Sequence, residues 1–157
     1  MSEERISATR RIAASADAIF AIVSDPNGHV AIDGSHMLVA APDAQPLTAV
    51  GDTFVIDMDR EALGDMPLGK YKVENVVTKI DPGALFEWSV GIPGRGPVGH
   101  VYGYELAEAG DGSTEVTSYC DWSGISDEMR SARTWPIVPK MALITTLEKL
   151  DRLVTGP

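Results

Sequence analysis

Cysteine, basic side chains and long apolar runs are scarce in this 157-residue sequence. Cys120 is the only cysteine, which excludes an internal disulfide framework and a Cys-x-x-Cys metal or redox motif. Thirteen basic residues stand against 23 acidic ones, and the net charge of −10 argues against nucleic acid and against an anionic membrane surface as partners. No segment approaches the roughly 18 apolar residues of a membrane span, and residues 1–15 hold no secretory signal pattern. We therefore expect a cytoplasmic protein with no stable membrane association.

The hydrophobic content, 44% of all residues, is ordinary for a globular protein. At roughly 100–200 residues per domain, we expect one domain that spans residues 1–157. A chain of this length buries enough apolar surface to fold without a disulfide or a structural metal. The acidic residues are spread along the chain, which is typical of a solvated surface. The composition is compatible with a monomer or a homodimer.

Two kinds of hydrophobic periodicity divide the chain. Residues 5–12 have the pattern of a strand, and Ser15 then offers an N-cap for a helix that Asp25-Pro26 ends. Residues 26–32 have room for a short second helix. From residue 36 the period is two, and the predicted strands are 36–41, 51–59, 69–81, 84–91, 98–107 and 113–123.

Short turns separate these strands, at residues 41–43, 64–67, 81–83, 93–97 and 109–112. Connections this short predict an antiparallel meander, because parallel strands need longer crossovers. The helical period returns over residues 141–154, where Leu143, Leu147, Leu150 and Val154 share one face. The sequence therefore predicts an α+β fold. A curved antiparallel sheet of about seven strands wraps around a long C-terminal helix, with two short helices after strand one.

Several short motifs follow one another in an order that resembles a known family. They are residues 13–20 with Asp25-Pro26, Asp33-Gly34-Ser35, residues 80–88, Tyr104-Glu105-Leu106, residues 112–117 and Asp121-Trp122-Ser123. Together they resemble the START-like (SRPBCC) superfamily, which has the helix-grip fold of the birch-pollen allergen. More narrowly, the chain is similar to the bacterial polyketide cyclase/dehydrase and lipid-transport family. The resemblance implies the helix-grip fold and an internal cavity for an apolar or amphipathic ligand. It implies no particular reaction.

Side-chain alternation along the strands predicts which residues face that cavity. The bulky set of residues 98–107 is His100, Tyr102, Tyr104 and Leu106, which we place inward. Alternation from the other strands and the helix extends the predicted ligand-binding set to Phe54, Met58, Tyr71, Trp88, His100, Tyr102, Tyr104, Cys120, Trp122, Met141 and Ile144. An apolar, aromatic lining with a few polar tips is typical of a small-molecule pocket. The alternative is that these residues fill a packed core, with tyrosine hydroxyls at its rim.

Other motifs in the chain match functional patterns only in part. Residues 94–99 match Gly-x-Gly-x-x-Gly, but a period-two segment follows where a phosphate site needs a helix, so we predict a hairpin loop. Asp57-x-Asp59-x-Glu61 lacks the glycine and the final glutamate of a calcium loop, which favours an exposed acidic hairpin. The three histidines show no metal-ligand spacing. We expect no metal and no cofactor, and we interpret Cys120 as a buried apolar residue.

Three functions remain open at this point. The first is binding of a lipid, a polyketide or a similar hydrophobic small molecule, which needs only the cavity. The second is a cyclase, aromatase or dehydratase, in which His100 is the candidate base and Tyr102 or Tyr104 donates a proton to an enolate-like oxygen. The third is a protein-interaction module, which the sequence favours least.

Overall fold

The computed structural model describes residues 3–42, 44–63 and 69–156. Its strands are β1 (Arg5–Ile12), β2 (Leu38–Ala40), β3 (Thr53–Asp59), β4 (Lys70–Asp81), β5 (Leu85–Ile92), β6 (Gly96–Glu108) and β7 (Thr114–Asp121). Its helices are α1 (Ala16–Val23), α2 (Pro26–Ile32), α3 (Asp127–Ala132) and α4 (Lys140–Thr155), and a 3₁₀ turn spans Arg60–Leu63.

The seven strands form one antiparallel sheet in the order β1-β7-β6-β5-β4-β3-β2. Neighbours along the chain are neighbours in the sheet, except that β1 joins the far edge beside β7. The sheet curls into a half-barrel, and α4 packs against β1, β7, α1 and α2. The predicted α+β helix-grip architecture is confirmed.

Local capping explains where the first two helices begin. The side chain of Ser15 accepts a hydrogen bond from the Ala18 amide, and that of Asp25 accepts one from the Asn27 amide. Each bond satisfies a backbone donor that the first helical turn leaves without a partner. Pro26 is the first residue of α2, where its missing N–H costs nothing.

Contacts with the segment after α2 position α4. The backbone amide of Gly34 donates to the Thr146 hydroxyl at 2.9 Å, and Lys149 Nζ donates to the Asp33 carbonyl at 2.9 Å. A Cβ on Gly34 would lie 2.4 Å from the carbonyl oxygen of Ala142. Only glycine permits this approach, which accounts for Gly34 between Asp33 and Ser35.

The structure differs from the predicted elements in a few places. The predicted strand 36–41 is shorter, because His36 has a positive φ of 65° and the strand begins at Leu38. The sequence did not indicate α3, since none of its residues is buried and no apolar stripe marks it. The predicted turn at 64–67 lies outside the described residues, as does Asp43, the last residue of the predicted turn at 41–43.

The hydrophobic interior has two parts. The larger lies between the concave face of the sheet and the helices, and it includes Phe86, Leu147 and Leu150. The smaller holds Cys120, Trp122 and Ile125, with Met129 and Trp135 packed against it. In the part of the chain that the structure describes, no helix is both long enough and apolar enough to span a bilayer.

Candidate functional site

A cavity of about 140 Å³ lies between the concave face of the sheet and α4. Its sheet-side lining comes from inward residues of five strands, namely Ile56, Met58, Tyr71, Val73, Asn75, Trp88, Val90, His100, Tyr102, Tyr104 and Ser118. The opposite side is lined by Leu38 of β2 and, from the helices and loops, by His29, Asp33, Ser35, Met37, Val138, Ala142, Leu143 and Thr146.

Strand register brings the aromatic side chains of the lining together. Trp88 lies opposite Tyr102, and Phe86 lies opposite Tyr104. Their alternation places all four on the concave face. The Trp88 ring stacks against Tyr102 and Tyr104, each at 5.9 Å between centroids. The centre of the sheet therefore presents an aromatic wall to the cavity.

Six of the eleven sequence-predicted site residues line the cavity: Met58, Tyr71, Trp88, His100, Tyr102 and Tyr104. Phe54 faces the same side of the sheet but packs beside the lining, edge-on to His29 at 5.4 Å and to Trp88 at 6.4 Å. Cys120 and Trp122 are buried as predicted, yet they belong to the second hydrophobic cluster and lie outside the lining.

The prediction for α4 was wrong about which residues face the cavity. Met141 is 65% exposed, and Ile144 is partly buried outside the lining. Ala142, Leu143 and Thr146 line the cavity in their place. The reason is the helical period: Met141 lies about 200° around the helix from Leu143, so both cannot face the cavity. The shared face of Leu143, Leu147 and Leu150 in the sequence already indicated which side of α4 is buried.

Sequence reasoning missed His29 and Asn75. His29 lies on α2, and its Nε2 donates to the Val23 carbonyl at 2.6 Å, because a carbonyl oxygen only accepts. The other ring nitrogen of a neutral imidazole then has an acceptor lone pair. Burial lowers the pKa of His29 to about 4, against smaller raising effects of the Val23 carbonyl and Asp25. His29 is therefore neutral at physiological pH.

His100 is a buried, neutral imidazole on β6. Its ring meets the Trp135 ring edge-on at 4.9 Å between centroids. Burial, with a smaller contribution from the charge of Arg133, lowers the pKa of His100 to about 4. Its Nδ1 is buried and has no hydrogen-bond partner among the described residues. His100 can therefore accept or donate one hydrogen bond in the cavity without carrying charge.

Asn75 is the second polar side chain that has a buried atom without a hydrogen-bond partner among the described residues. It lies on β4 opposite Val90, is 4% exposed, and its Oδ1 has no hydrogen-bond partner in the described part of the chain. The signal that could have found it is alternation, since Asn75 stands in phase with Tyr71, Val73 and Val77 in a strand whose other inward residues are apolar.

Tyr102, Tyr104 and Cys120 are uncharged at neutral pH. Burial raises the pKa of Tyr104, and desolvation together with the neighbouring Cys120 raises that of Tyr102. Burial likewise raises the pKa of the Cys120 thiol to about 12. The phenols are thus proton donors at neutral pH, and the thiol is no nucleophile.

Asp33 supplies the one acidic side chain among the described lining residues, and its carboxylate accepts three hydrogen bonds. It accepts from the backbone and hydroxyl of Ser35 and from the Leu38 amide at 2.7–3.0 Å. Within residues 3–42, 44–63 and 69–156, no group of three or more His, Cys, Asp or Glu side chains is arranged to hold a metal ion.

Comparison with known proteins finds one curated relative by sequence and several solved structures with the same fold. No family model matches the sequence. The uncharacterized protein Rv0088 of Mycobacterium tuberculosis is 31% identical over 118 residues, which cover 75% of this chain and 47% of that protein. The chain thus spans about half the length of this relative.

Two solved structures illustrate the shared fold. Protein Ms6760 from Mycobacterium smegmatis aligns with a TM-score of 0.65 and 19% identity, over 98% of this chain and 92% of its own. Truncated norcoclaurine synthase from Thalictrum flavum aligns with a TM-score of 0.63 and 16% identity, over 100% and 98% of the two chains. At these identities the likeness shows the fold alone.

Proposed function

We propose that residues 1–157 form one START-like (SRPBCC) domain that binds a hydrophobic or amphipathic small molecule in the cavity between the sheet and α4. The observation that carries this proposal is the pair of unpartnered polar atoms, His100 Nδ1 and Asn75 Oδ1, in a lining that is mostly apolar and aromatic. Buried polar groups in folded proteins nearly always have a partner. A bound molecule that supplies those partners accounts for both atoms.

The chemistry of the lining supports the same proposal. Aromatic and aliphatic walls with a few convergent polar groups are typical of ligand sites, because apolar surface gives affinity and polar groups set orientation. The proposed ligand contacts are Met58, Tyr71, Trp88, His100, Tyr102 and Tyr104, joined by Asn75 and Leu143. A structure of a norcoclaurine synthase point mutant in complex with a transition-state analogue has the same fold, with a TM-score of 0.62. That complex supports the proposal that a protein of this fold binds a small molecule.

Filling the cavity tests the proposal. Ala142 lines it, and its neighbour Met141 is exposed on the same turn of α4. We expect mass spectrometry of organic extracts to recover a bound hydrophobe from the wild-type protein and from the control Met141→Phe. Ala142→Phe should yield none while it keeps a cooperative thermal transition. Recovery of equal amounts of the bound hydrophobe from Ala142→Phe and Met141→Phe would contradict a ligand site in this cavity. So would the absence of any bound hydrophobe from wild-type protein purified from the organism that produces it.

An enzyme of the cyclase, aromatase or dehydratase type is the second candidate. The observation that favours it is the neutral His100 with an unpaired Nδ1 beside the protonated phenol of Tyr102, with ring centroids 5.6 Å apart. Such a pair offers a base and a proton donor to one substrate. Under this candidate, His100→Ala lowers turnover far more than it lowers ligand affinity. Lipid transport, a cytoplasmic location and a monomeric or homodimeric state stay predictions from the sequence.

A further inference from the structure

The size of the cavity limits its occupant. An enclosed apolar cavity of about 150 Å³ is enough to bind benzene, whereas sites for drug-sized ligands measure about 300–1,000 Å³. The cavity of about 140 Å³ therefore has room for roughly one aromatic ring. Only a ring-sized part of a diacyl lipid or of a multi-ring polyketide would fit inside this space.

The two unpartnered atoms specify the polar group of the occupant. Asn75 Oδ1 is an amide oxygen, so it only accepts and needs a donor from the ligand. His100 Nδ1 of a neutral imidazole accepts or donates according to its tautomer. A hydroxyl is the smallest group that gives Asn75 a donor and offers His100 either role. A ketone, an ether or a hydrocarbon leaves Asn75 unsatisfied.

The sheet register places these atoms on one side of the cavity. Asn75 on β4 lies opposite Val90 on β5, and His100 on β6 precedes Val101, which lies opposite Ser89. The backbones of Asn75 and His100 are thus two strands apart, about 10 Å, on the same concave face. Val90 lines the cavity between them and offers only apolar surface. The two unpartnered side chains therefore belong to the same face of the cavity, on β4 and β6.

The charges around the cavity favour a neutral ligand. Asp33 is the charged side chain in the described lining, and its oxygens already accept hydrogen bonds from Ser35 and Leu38. Arg60 and Arg133 act electrostatically on Tyr102 and His100, but neither belongs to the lining. An anion that enters would lose its hydration without a lining cation to replace it.

We propose that the ligand is a neutral, ring-sized molecule that carries a hydroxyl, and that Asn75 and His100 recognise this hydroxyl. This inference rests on the proposed function and names the chemical class of its ligand. The aromatic wall of Trp88, Tyr102 and Tyr104 holds the ring, and the hydroxyl sets the orientation through Asn75.

A comparison of phenol, benzene and benzoate tests this inference. Phenol and benzene differ by the hydroxyl, and benzoate adds a negative charge. By isothermal titration calorimetry we expect phenol to bind the wild-type protein at least about tenfold more tightly than benzene, because benzene leaves the buried acceptor unpaired. Benzoate should bind more weakly than phenol.

Variants separate the hydroxyl contact from the volume of the cavity. Asn75→Leu keeps the size of the side chain and removes the acceptor, so the preference for phenol over benzene should fall to about onefold. His100→Phe should reduce the same preference and serves as a second variant. Val73→Ala is the control, because it removes apolar lining and should change both affinities while their ratio stays as in the wild type.

Each result has a distinct meaning. Equal affinities of phenol and benzene for the wild-type protein would overturn the hydroxyl inference, while binding of both would still support a site for hydrophobes. Tighter binding of benzoate would overturn the neutral class. Binding of none of the three, together with a larger hydrophobe in organic extracts, would overturn the ring-sized class but leave the proposed function. No probe and no extracted ligand would overturn both.

Discussion

The imidazole of His29 lies 4.4 Å from the indole of Trp88, centroid to centroid, and its Nε2 donates to the Val23 carbonyl at 2.6 Å. This arrangement connects the end of α1, through α2, to the aromatic wall of the cavity. Phe54 and Phe86 meet the same imidazole edge-on at 5.4 and 5.7 Å. An imidazole surrounded in this way has no water to solvate a positive charge.

The free energy of unfolding should therefore fall as the pH falls from about 6.5 to about 4. The pKa of His29 and that of His100 are both about 4 in the folded protein and 6.5 in the unfolded chain. Between these values the unfolded chain binds more protons, so the stabilisation is complete above pH 6.5 and is lost through this window. It amounts to about 3 kcal/mol for each histidine. Urea unfolding at pH 7, 5.5 and 4.5 measures the loss.

A variant that does not titrate is the control for this pH dependence. His29→Gln retains a donor for the Val23 carbonyl and carries no charge in this range. Its unfolding free energy should depend less steeply on pH than that of the wild type. An unchanged slope would show that His29 is not the group responsible.

The two sides of α4 should respond differently to truncation. Leu143 is 5% exposed and lines the cavity, whereas Met141 is 65% exposed. We expect Leu143→Ala to lower the free energy of unfolding by about 2–5 kcal/mol and Met141→Ala to change it by less than about 0.5 kcal/mol. Chemical denaturation of both variants measures the difference. Similar costs would contradict the orientation of α4.

Gly103 and Tyr119 should be energetically coupled on the outer face of the sheet. The two residues pair across β6 and β7, and a Cβ on Gly103 would lie 2.4 Å from the Tyr119 ring. Tyr119 points outward as alternation predicts, yet it is 3% exposed, because Arg5 lies 4.0 Å above its ring and its hydroxyl donates to Glu87 at 2.5 Å.

A double-mutant cycle tests this coupling. Gly103→Ala should cost about 2 kcal/mol or more in the wild-type background, because the ring must move from Arg5 and Glu87. In a Tyr119→Thr background the same substitution should cost much less, since the space above Gly103 is then open. Additive costs in the two backgrounds would refute the close approach.

Cys120 should react with thiol reagents only after unfolding. It is completely buried, and burial raises the pKa of its thiol to about 12, so thiolate is scarce at pH 8. Because it is the only cysteine, the reaction with dithionitrobenzoate reports on a single site. We expect its rate in native buffer to follow the equilibrium fraction of unfolded protein. A fast stoichiometric reaction in native buffer would contradict the burial.

Much of the fold could be predicted because it depends on local patterns. Ser15 and Asp25 indicate where helices α1 and α2 begin, because their side chains accept hydrogen bonds from backbone amides of the first turn. The two-residue period predicts the ends of most strands to within two or three residues. The helix α3 was not predicted because none of its residues is fully buried, so it has no apolar periodicity to detect. The lining residues of α4 were misplaced because Met141 and Ile144 are apolar but lie off the leucine stripe.

The amino-acid sequence by itself determined the order of strands and helices, the antiparallel sheet and the inward side of strands β3 to β7, because alternation and capping are properties of neighbouring residues. Only the tertiary structure decided that His29 meets Trp88, that Cys120 and Trp122 lie outside the cavity, and that Asn75 and His100 keep buried atoms without partners among the described residues. Such features depend on sheet curvature and on the distance between sheet and helix. Sheet curvature and the distance between sheet and helix are set by the packing of residues far apart in the chain, so no local sequence pattern predicts them.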